Sequence, residues 1–220
     1  MFARDLIAFD IPPLKLSDSG KKALGWMDDF KVSHLPVANN KEYIGLISDS
    51  DIYELNEKEA LIKNYKMENK NIYVLENQHI YDVVKLIYRE KISVIPVLSH
   101  DNEYLGAISS NHLNKLMAEV LGVNNPGGVV VLEMNLKDYS VTEIAQIIEG
   151  NDAKILSLYL RSISSAEKIE VTIKLNKKDI SAILQSFERY NYFVKAVYHE
   201  SEFEDDYKDK LDSFFNYLNI

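Results

Sequence analysis

The sequence predicts a mixed protein of the α/β and α+β classes, in which two copies of one short unit precede a different domain. Two observations predict this organisation: an internal repeat within residues 1–123, and a change of pattern after a glycine-rich stretch near residue 125. The chain has 220 residues, of which 46% are hydrophobic and 27% charged, as is typical of folded proteins. This length fits one to two compact domains.

Composition and charge argue against several classes of function. The chain has no cysteine, which excludes disulfides, thiolate metal sites and cysteine nucleophiles. Its net charge of −9 argues against nucleic acid as a partner. No uncharged apolar run approaches the roughly 18 residues of a membrane helix, and residues 1–5 carry charges where a signal peptide is apolar. We therefore expect a cytoplasmic protein that binds neither nucleic acid nor membrane.

The repeat becomes visible when the sequence is aligned with itself. Residues 32–37 match residues 92–97 with three identities in six positions. Residues 42–48 match residues 103–109 with five identities in seven positions. This agreement indicates a duplicated unit of about 60 residues.

Both copies, at about 1–62 and 63–123, predict the same elements in the same order. An amphipathic helix is followed by a short apolar strand that ends in Pro-Val, a polar turn, a second strand and another helix. The predicted first helix and second strand lie at Ser19–Phe30 and Tyr43–Ile47 in the first copy, and at Ile80–Glu90 and Tyr104–Ile108 in the second. One copy alone is too small to cover both faces of its sheet, so we expect the two copies to pack together.

This repeated pattern resembles the CBS domain, named for cystathionine beta-synthase. The strands ending in Pro36-Val37 and Pro96-Val97 and the Gly-h-h-Ser-x-x-Asp stretch carry the resemblance, and Arg4-Asp5-Leu6-Ile7 is similar to the opening segment of that family. The resemblance covers residues 1–123. It implies tandem βαββα units that fold into a disc-like pair, form a homodimer and bind adenine-containing nucleotides in the clefts between repeats.

The resemblance also names the residues of a binding site in the first copy. The ribose-binding motif of the family corresponds to Gly45-Leu46-Ile47-Ser48-Asp49-Ser50-Asp51. The glycine permits close approach of the backbone, the Ser48 hydroxyl and the helix N-terminus can face phosphate, and the Asp51 carboxylate can accept two ribose hydroxyl protons. The same cleft is implied to be lined by Ser33, His34 and Pro36.

Two of these assignments have a purely structural alternative. Ser48 and Asp51 also have the spacing of a capping box, in which a serine and an acidic residue three positions later close the start of a helix, although aspartate is shorter than the preferred glutamate. His34 either stacks on or hydrogen-bonds a base, or is a half-buried residue whose polar atoms are satisfied within the protein.

The second copy departs from the motif. It reads Gly106-Ala107-Ile108-Ser109-Ser110-Asn111-His112, so that His112 stands where the carboxylate is expected. We therefore predict one competent site in the first copy and a degenerate second cleft at Ser109 and His112. Residues 1–123 contain only two arginines, so an AMP-like ligand or S-adenosylmethionine is easier to accommodate than ATP. We expect no resident cofactor or metal, and AMP, ADP, ATP or S-adenosylmethionine only as a regulatory ligand.

After a predicted linker at 124–128, the pattern changes to strand, helix, strand, strand, helix, strand. The predicted strands are 129–134, 156–161, 169–175 and 193–198, and the predicted helices are 140–149 and 179–190. This order is the ferredoxin-like split unit. After a CBS pair it resembles an ACT domain, a small amino-acid-sensing module, over 129–200, and the combination is similar to acetoin-utilisation accessory proteins.

Amino-acid binding by this ACT-like part stays open at this stage. ACT domains that bind amino acids usually have a glycine in the turn after the first strand, whereas residues 135–139 contain none. The alternative is side-by-side sheet pairing between subunits.

The C-terminal segment, 201–220, is predicted to form an acidic amphipathic helix. Residues 200–220 contribute −5 of the net charge of −9. One helical stripe carries Phe203, Tyr207, Leu211, Phe214 and Leu218. Such a helix packs on its own body or its dimer partner, or it meets an unknown protein target.

No motif for catalysis appears in the chain, because HExxH, P-loop, GxSxG and GxGxxG patterns are all missing. Together with this absence, the resemblance to CBS pairs predicts a non-catalytic regulatory sensor that binds an adenosine-containing ligand in the CBS cleft, relays the signal to the ACT-like domain and acts as a homodimer. The alternatives are a ligand-free homodimeric scaffold and an amino-acid sensor.

Overall fold

The computed structural model describes residues 1–8, 11–55, 57–67, 71–163 and 167–198. The chain divides into two compact units, Met1–Leu116 and Met117–Ile220. The helix predicted at 201–220 lies outside the described residues. Within the described ranges, no helix has the length and apolar character needed to cross a membrane.

The first unit contains both copies of the repeat except the end of α4, which belongs to the second unit. The first copy comprises α1 (Gly20–Phe30), β1 (His34–Asn39), β2 (Glu42–Ser48) and α2 (Asp49–Leu55). The second copy comprises β3 (Val74–Leu75), α3 (Ile80–Glu90), β4 (Val94–Leu98), β5 (Tyr104–Ser109) and α4 (Ser110–Val120). The predicted first helices and second strands are confirmed to within one residue at each end.

The two copies differ in their leading strand. In the second copy β3 pairs parallel with β4. At the corresponding place in the first copy, the described residues form only an isolated parallel bridge between Leu14 and Val37. The predicted βαββα order is therefore complete in the second copy alone.

Local signals explain where the first helix of each copy begins and ends. The Ser19 side chain accepts a hydrogen bond from the backbone of Lys22 at 3.2 Å, which caps α1. Both α1 and α3 end at a lysine in the left-handed conformation, Lys31 at φ 55° and Lys91 at φ 53°. These lysines occupy equivalent positions of the repeat, so the two copies close their helices in the same way.

The strand pairs of the two copies carry the same irregularity. Strands β1 and β2 are antiparallel with a register shift between Val37 and Ala38. Strands β4 and β5 are antiparallel with a shift between Val97 and Leu98, the equivalent position of the repeat. One hydrophobic core joins the copies, and its fully buried members include Leu35, Ile47, Ile52, Val94 and Ala107.

The second unit has the element order β6 (Val129–Asn135), α5 (Val141–Glu149), β7 (Ile155–Ser162), β8 (Lys168–Leu175), α6 (Ser181–Arg189) and β9 (Phe193–Tyr198). Its four strands form an antiparallel sheet in the order β7-β8-β6-β9. All six elements lie within two residues of their predicted bounds. The core between helices and sheet includes Leu132, Val171, Ile144 and Phe187, all fully buried.

Gly127 shows why glycine is required at the start of this unit. Its φ of 143° is disfavoured for residues with a side chain, and an added Cβ would lie 2.0 Å from the carbonyl oxygen of Leu175.

Candidate functional site

The predicted motif residues Ser48 and Asp51 lie at the junction between β2 and α2. The backbone N–H and the hydroxyl of Ser48 donate to Oδ2 of Asp51 at 2.7 and 2.8 Å. In return, the backbone N–H of Asp51 donates to the Ser48 hydroxyl at 3.1 Å. This reciprocal pattern is that of a capping box. The Oδ1 atom of Asp51 accepts no hydrogen bond from the described residues.

The antiparallel register brings Ser33 and His34 to the end of β2 where Ser48 lies. His34 lies directly opposite Ser48 in the pairing of β1 with β2. The carbonyl of Ser33 accepts a hydrogen bond from the backbone N–H of Asp49 at 3.1 Å, which ties the start of β1 to the start of α2. Four of the predicted site residues are thus grouped at one end of this strand pair.

Gly45 and Pro36 lie elsewhere, in the middle of the same strand pair. Gly45 is opposite Val37, and Pro36 is opposite Leu46. Gly45 is three residues from Ser48 along β2, which corresponds to roughly 10 Å at the usual rise of a strand. Both residues are buried.

The glycine of the second copy has a structural role. A Cβ on Gly106 would lie 2.4 Å from Cγ2 of Ile7, in the opening segment of the chain. Next to it, Ala8 and Ala107 form an antiparallel bridge. The space beside Gly106 is therefore filled by the opening segment of the chain, and not left free for a ligand.

Ser93 of the second copy completes the cluster, and the sequence analysis did not identify it. Its hydroxyl accepts a hydrogen bond from the backbone N–H of Ser33 at 2.9 Å. Its backbone N–H and its hydroxyl lie 3.3 and 3.2 Å from Nδ1 of His34, and the Ser33 hydroxyl lies 3.0 Å from the same nitrogen. Ser93 is the repeat equivalent of Ser33, so the alignment of the two copies contained the signal.

The electrostatic surroundings of this cluster are acidic. Burial lowers the pKa of His34, while the nearby carboxylates of Asp49 and Asp51 act in the opposite direction. The imidazole is therefore neutral at pH 7. Neither Asp49 nor Asp51 forms an ion pair with a described residue. The cluster thus offers hydrogen-bond acceptors and negative charge.

The second predicted cleft has a simpler arrangement. The hydroxyl of Ser109 accepts a hydrogen bond from the backbone N–H of His112 at 3.1 Å. This is a helix cap in which the His112 side chain takes no part. No carboxylate replaces Asp51 at this position.

The second unit contains a pocket at the end of β6. It has a volume of about 350 Å³. Asn135 and Asp138, in the turn considered above, contribute to it, and the Asn135 amide donates to Asp138 at 2.8 Å. Two other residues of the lining are also joined, since the Tyr192 hydroxyl donates to Glu143 at 2.6 Å. The full lining comprises Glu133, Met134, Asn135, Asp138, Glu143, Tyr190, Asn191, Tyr192 and Phe193.

Residues 62–119 match the family model described as CBS domain. The matched residues are the second copy of the repeat, which is therefore similar to CBS domains. Among curated proteins, inosine-5'-monophosphate dehydrogenase of Methanocaldococcus jannaschii is 21% identical over 114 residues. The match covers 51% of this chain but only 23% of that enzyme.

Two solved structures are similar to part of this chain. A CBS domain pair/ACT domain protein from Thermotoga maritima is 19% identical, with a TM-score of 0.49 over 55% of this chain and 99% of that chain. A Vibrio cholerae protein described as an acetoin utilization protein is 15% identical, with a TM-score of 0.49 over 56% of this chain and 95% of that one.

Proposed function

We propose that this chain is a non-catalytic regulatory sensor that binds one adenosine-containing ligand in the cleft of the first copy. The observation that carries the proposal is the grouping of Ser33, His34, Ser48 and Asp51 at one end of a strand pair. The Oδ1 atom of Asp51 is the proposed acceptor for the ribose hydroxyls, since Oδ2 is engaged by Ser48. His112 replaces this carboxylate in the second copy, which leaves one competent cleft.

The acidic surroundings favour some adenosine ligands over others. Asp49 and Asp51 repel phosphate groups, and no described cation pairs with either of them. Helix α2, with only seven residues, adds little positive potential. An AMP-like ligand or S-adenosylmethionine, whose sulfonium is positive, therefore fits the cleft better than ATP.

The domain organisation completes the proposal. In this proposal residues 1–123 are the tandem CBS pair, 124–128 the linker and 129–200 an ACT-like domain with ferredoxin-like order. The chain acts as a homodimer, and the ligand signals by binding one arrangement of the domains more tightly than another. The βαββαβ order of the second unit supports the ACT-like assignment.

A thermal-shift panel tests the ligand. The purified protein is heated with AMP, ADP, ATP, S-adenosylmethionine or single amino acids, and each series is repeated on Asp51→Asn and on the matched variant His112→Asn. A ligand at 100 times its dissociation constant adds about 2.7 kcal/mol, which raises Tm by about 2 to 4 °C per kcal/mol in a chain of this size. We expect an adenosine compound to raise Tm in the wild type and His112→Asn, and not in Asp51→Asn.

The same panel separates the alternatives. An amino acid that raises Tm, with the rise lost in Asp138→Ala, would favour an amino-acid sensor, for which the pocket beside Asp138 is the supporting observation. If no small molecule raises Tm, the chain is better described as a ligand-free homodimeric scaffold for a protein partner.

A further inference from the structure

Three potential hydrogen-bond donors converge on one nitrogen of His34. The backbone N–H of Ser93 lies 3.3 Å from Nδ1 and can act only as a donor. The hydroxyls of Ser33 and Ser93 lie 3.0 and 3.2 Å from the same atom. Nδ1 must therefore accept and carries no proton. A neutral imidazole in this arrangement has its proton on Nε2.

The charge state of His34 follows from its surroundings. Its desolvated position disfavours the imidazolium, and the two charged groups that act on it are Asp49 and Asp51, both on α2. Burial outweighs their effect, so the pKa of His34 lies below its usual value. Protonation of Nδ1 would also place two N–H groups, those of His34 and Ser93, face to face.

The second ring nitrogen is left as a donor without a partner. No described residue accepts a hydrogen bond from Nε2 of His34. Among the described residues, Nε2 of His34 is not one of the buried side-chain atoms that lack a partner, so it is accessible to water or to a bound ligand. Nε2 belongs to the imidazole of the residue that lies opposite Ser48 across the strand pair, and the Asp51 carboxylate acts on this imidazole electrostatically.

We propose that Ser93 of the second copy is a positioning residue, which holds His34 as a neutral Nε2–H donor for a ring nitrogen of the ligand's adenine base. The inference rests on the proposed function for the identity of the ligand. It goes further because the contact with the base is a hydrogen bond with a defined donor, which a residue of the second copy holds in place.

The tautomer is measured on the unliganded protein by ¹⁵N NMR of the histidine side chains, with His34→Gln identifying the signals of His34. At pH 7 we expect the Nε2-protonated neutral form. Ser93→Ala keeps the backbone N–H of residue 93 and should keep this tautomer, whereas Ser93→Pro removes that N–H and should raise the fraction of the Nδ1-protonated form. The matched variant Ser109→Ala should leave His34 unchanged. A charged or Nδ1-protonated His34 in the wild type, or an unchanged tautomer in folded Ser93→Pro, overturns the inference.

The hydrogen bond to the base is measured with adenosine and its 1-deaza, 3-deaza and 7-deaza analogues by titration calorimetry. One analogue should bind about tenfold more weakly than adenosine, the loss of one hydrogen bond. In His34→Phe that difference should disappear. If all three analogues bind as tightly as adenosine does, the proposed hydrogen bond to the base does not form, while the proposed function stands. If adenosine, AMP and S-adenosylmethionine all fail to bind, the proposed function fails and the contact with the base fails with it.

Discussion

Replacing Asp51 by alanine should destabilise the first unit, whereas the equivalent substitution in the second copy should not. Asp51→Ala removes the acceptor of two hydrogen bonds, from the N–H and the hydroxyl of Ser48 at 2.7 and 2.8 Å. The cap on the backbone N–H of residue 51 remains, because Ser48 supplies it. His112→Ala removes no described hydrogen bond, since only the backbone of His112 takes part in its cap.

The expected size of the difference follows from these contacts. Loss of two hydrogen bonds to a part-buried carboxylate that also caps a helix lowers the free energy of unfolding by about 1 to 2 kcal/mol. His112→Ala should change stability by less than about 0.5 kcal/mol. The account thus predicts that Asp51→Ala is the more destabilising variant by about 1 kcal/mol.

Urea unfolding followed by tryptophan fluorescence measures this difference directly. The only tryptophan of the chain is Trp26, on α1, so its signal reports on the unit that contains both substitutions. Equal stability of Asp51→Ala and His112→Ala, or a greater loss in His112→Ala, would refute the reasoning from the capping geometry.

Three further predictions concern backbone fit and pH. Gly127→Ala should destabilise the second unit by about 2 kcal/mol or more, because the new Cβ would lie 2.0 Å from the carbonyl oxygen of Leu175. Gly25→Ala, on an open face of α1, should instead raise the free energy of unfolding by up to about 1 kcal/mol. Circular dichroism melts of both variants check this, and a neutral Gly127→Ala contradicts it. The free energy of unfolding should fall as pH drops below about 6.5, because His34 takes up its proton at a higher pH in the unfolded chain than in the folded one. His34→Gln should make this dependence of the free energy of unfolding on pH less steep. An unchanged dependence in His34→Gln would count against a buried neutral imidazole. The pKa of the Glu170 carboxyl is lowered by its hydrogen bonds with Lys195 and Arg161, so these bonds stabilise the fold at neutral pH and this stabilisation is lost below about pH 4. Glu170→Gln should reduce the loss of stability in acid. An unaltered loss of stability in acid would show that the ion pairs contribute nothing.

Much of the fold could be predicted because its signals are local. Ser19 and Ser140 cap the helices that follow them, as their sequence context suggests. The grouping of His34 with Ser48 also follows from a local feature, since a short turn between two strands fixes which residues face each other.

Other features depend on contacts between residues that are far apart in the sequence, which local patterns do not predict. The bonds from Ser93 to His34 join residues 59 positions apart, and they form only when the two copies pack against each other. The placement of Gly45 in mid-strand reflects the rise of a strand, which separates residues that are close in a motif. The pocket beside Asp138 needs Tyr192, from a distant part of the sequence, to supply part of its lining.

The central claim is that the chain has one adenosine site and that Asp51 belongs to it. Titration calorimetry of the full chain with AMP and with S-adenosylmethionine tests this most directly, because it measures the number of sites together with the affinity. The account predicts one molecule of an adenosine compound per chain, lost in Asp51→Asn and kept in His112→Asn. Two molecules per chain, no binding of either compound, or unchanged binding in Asp51→Asn would contradict it.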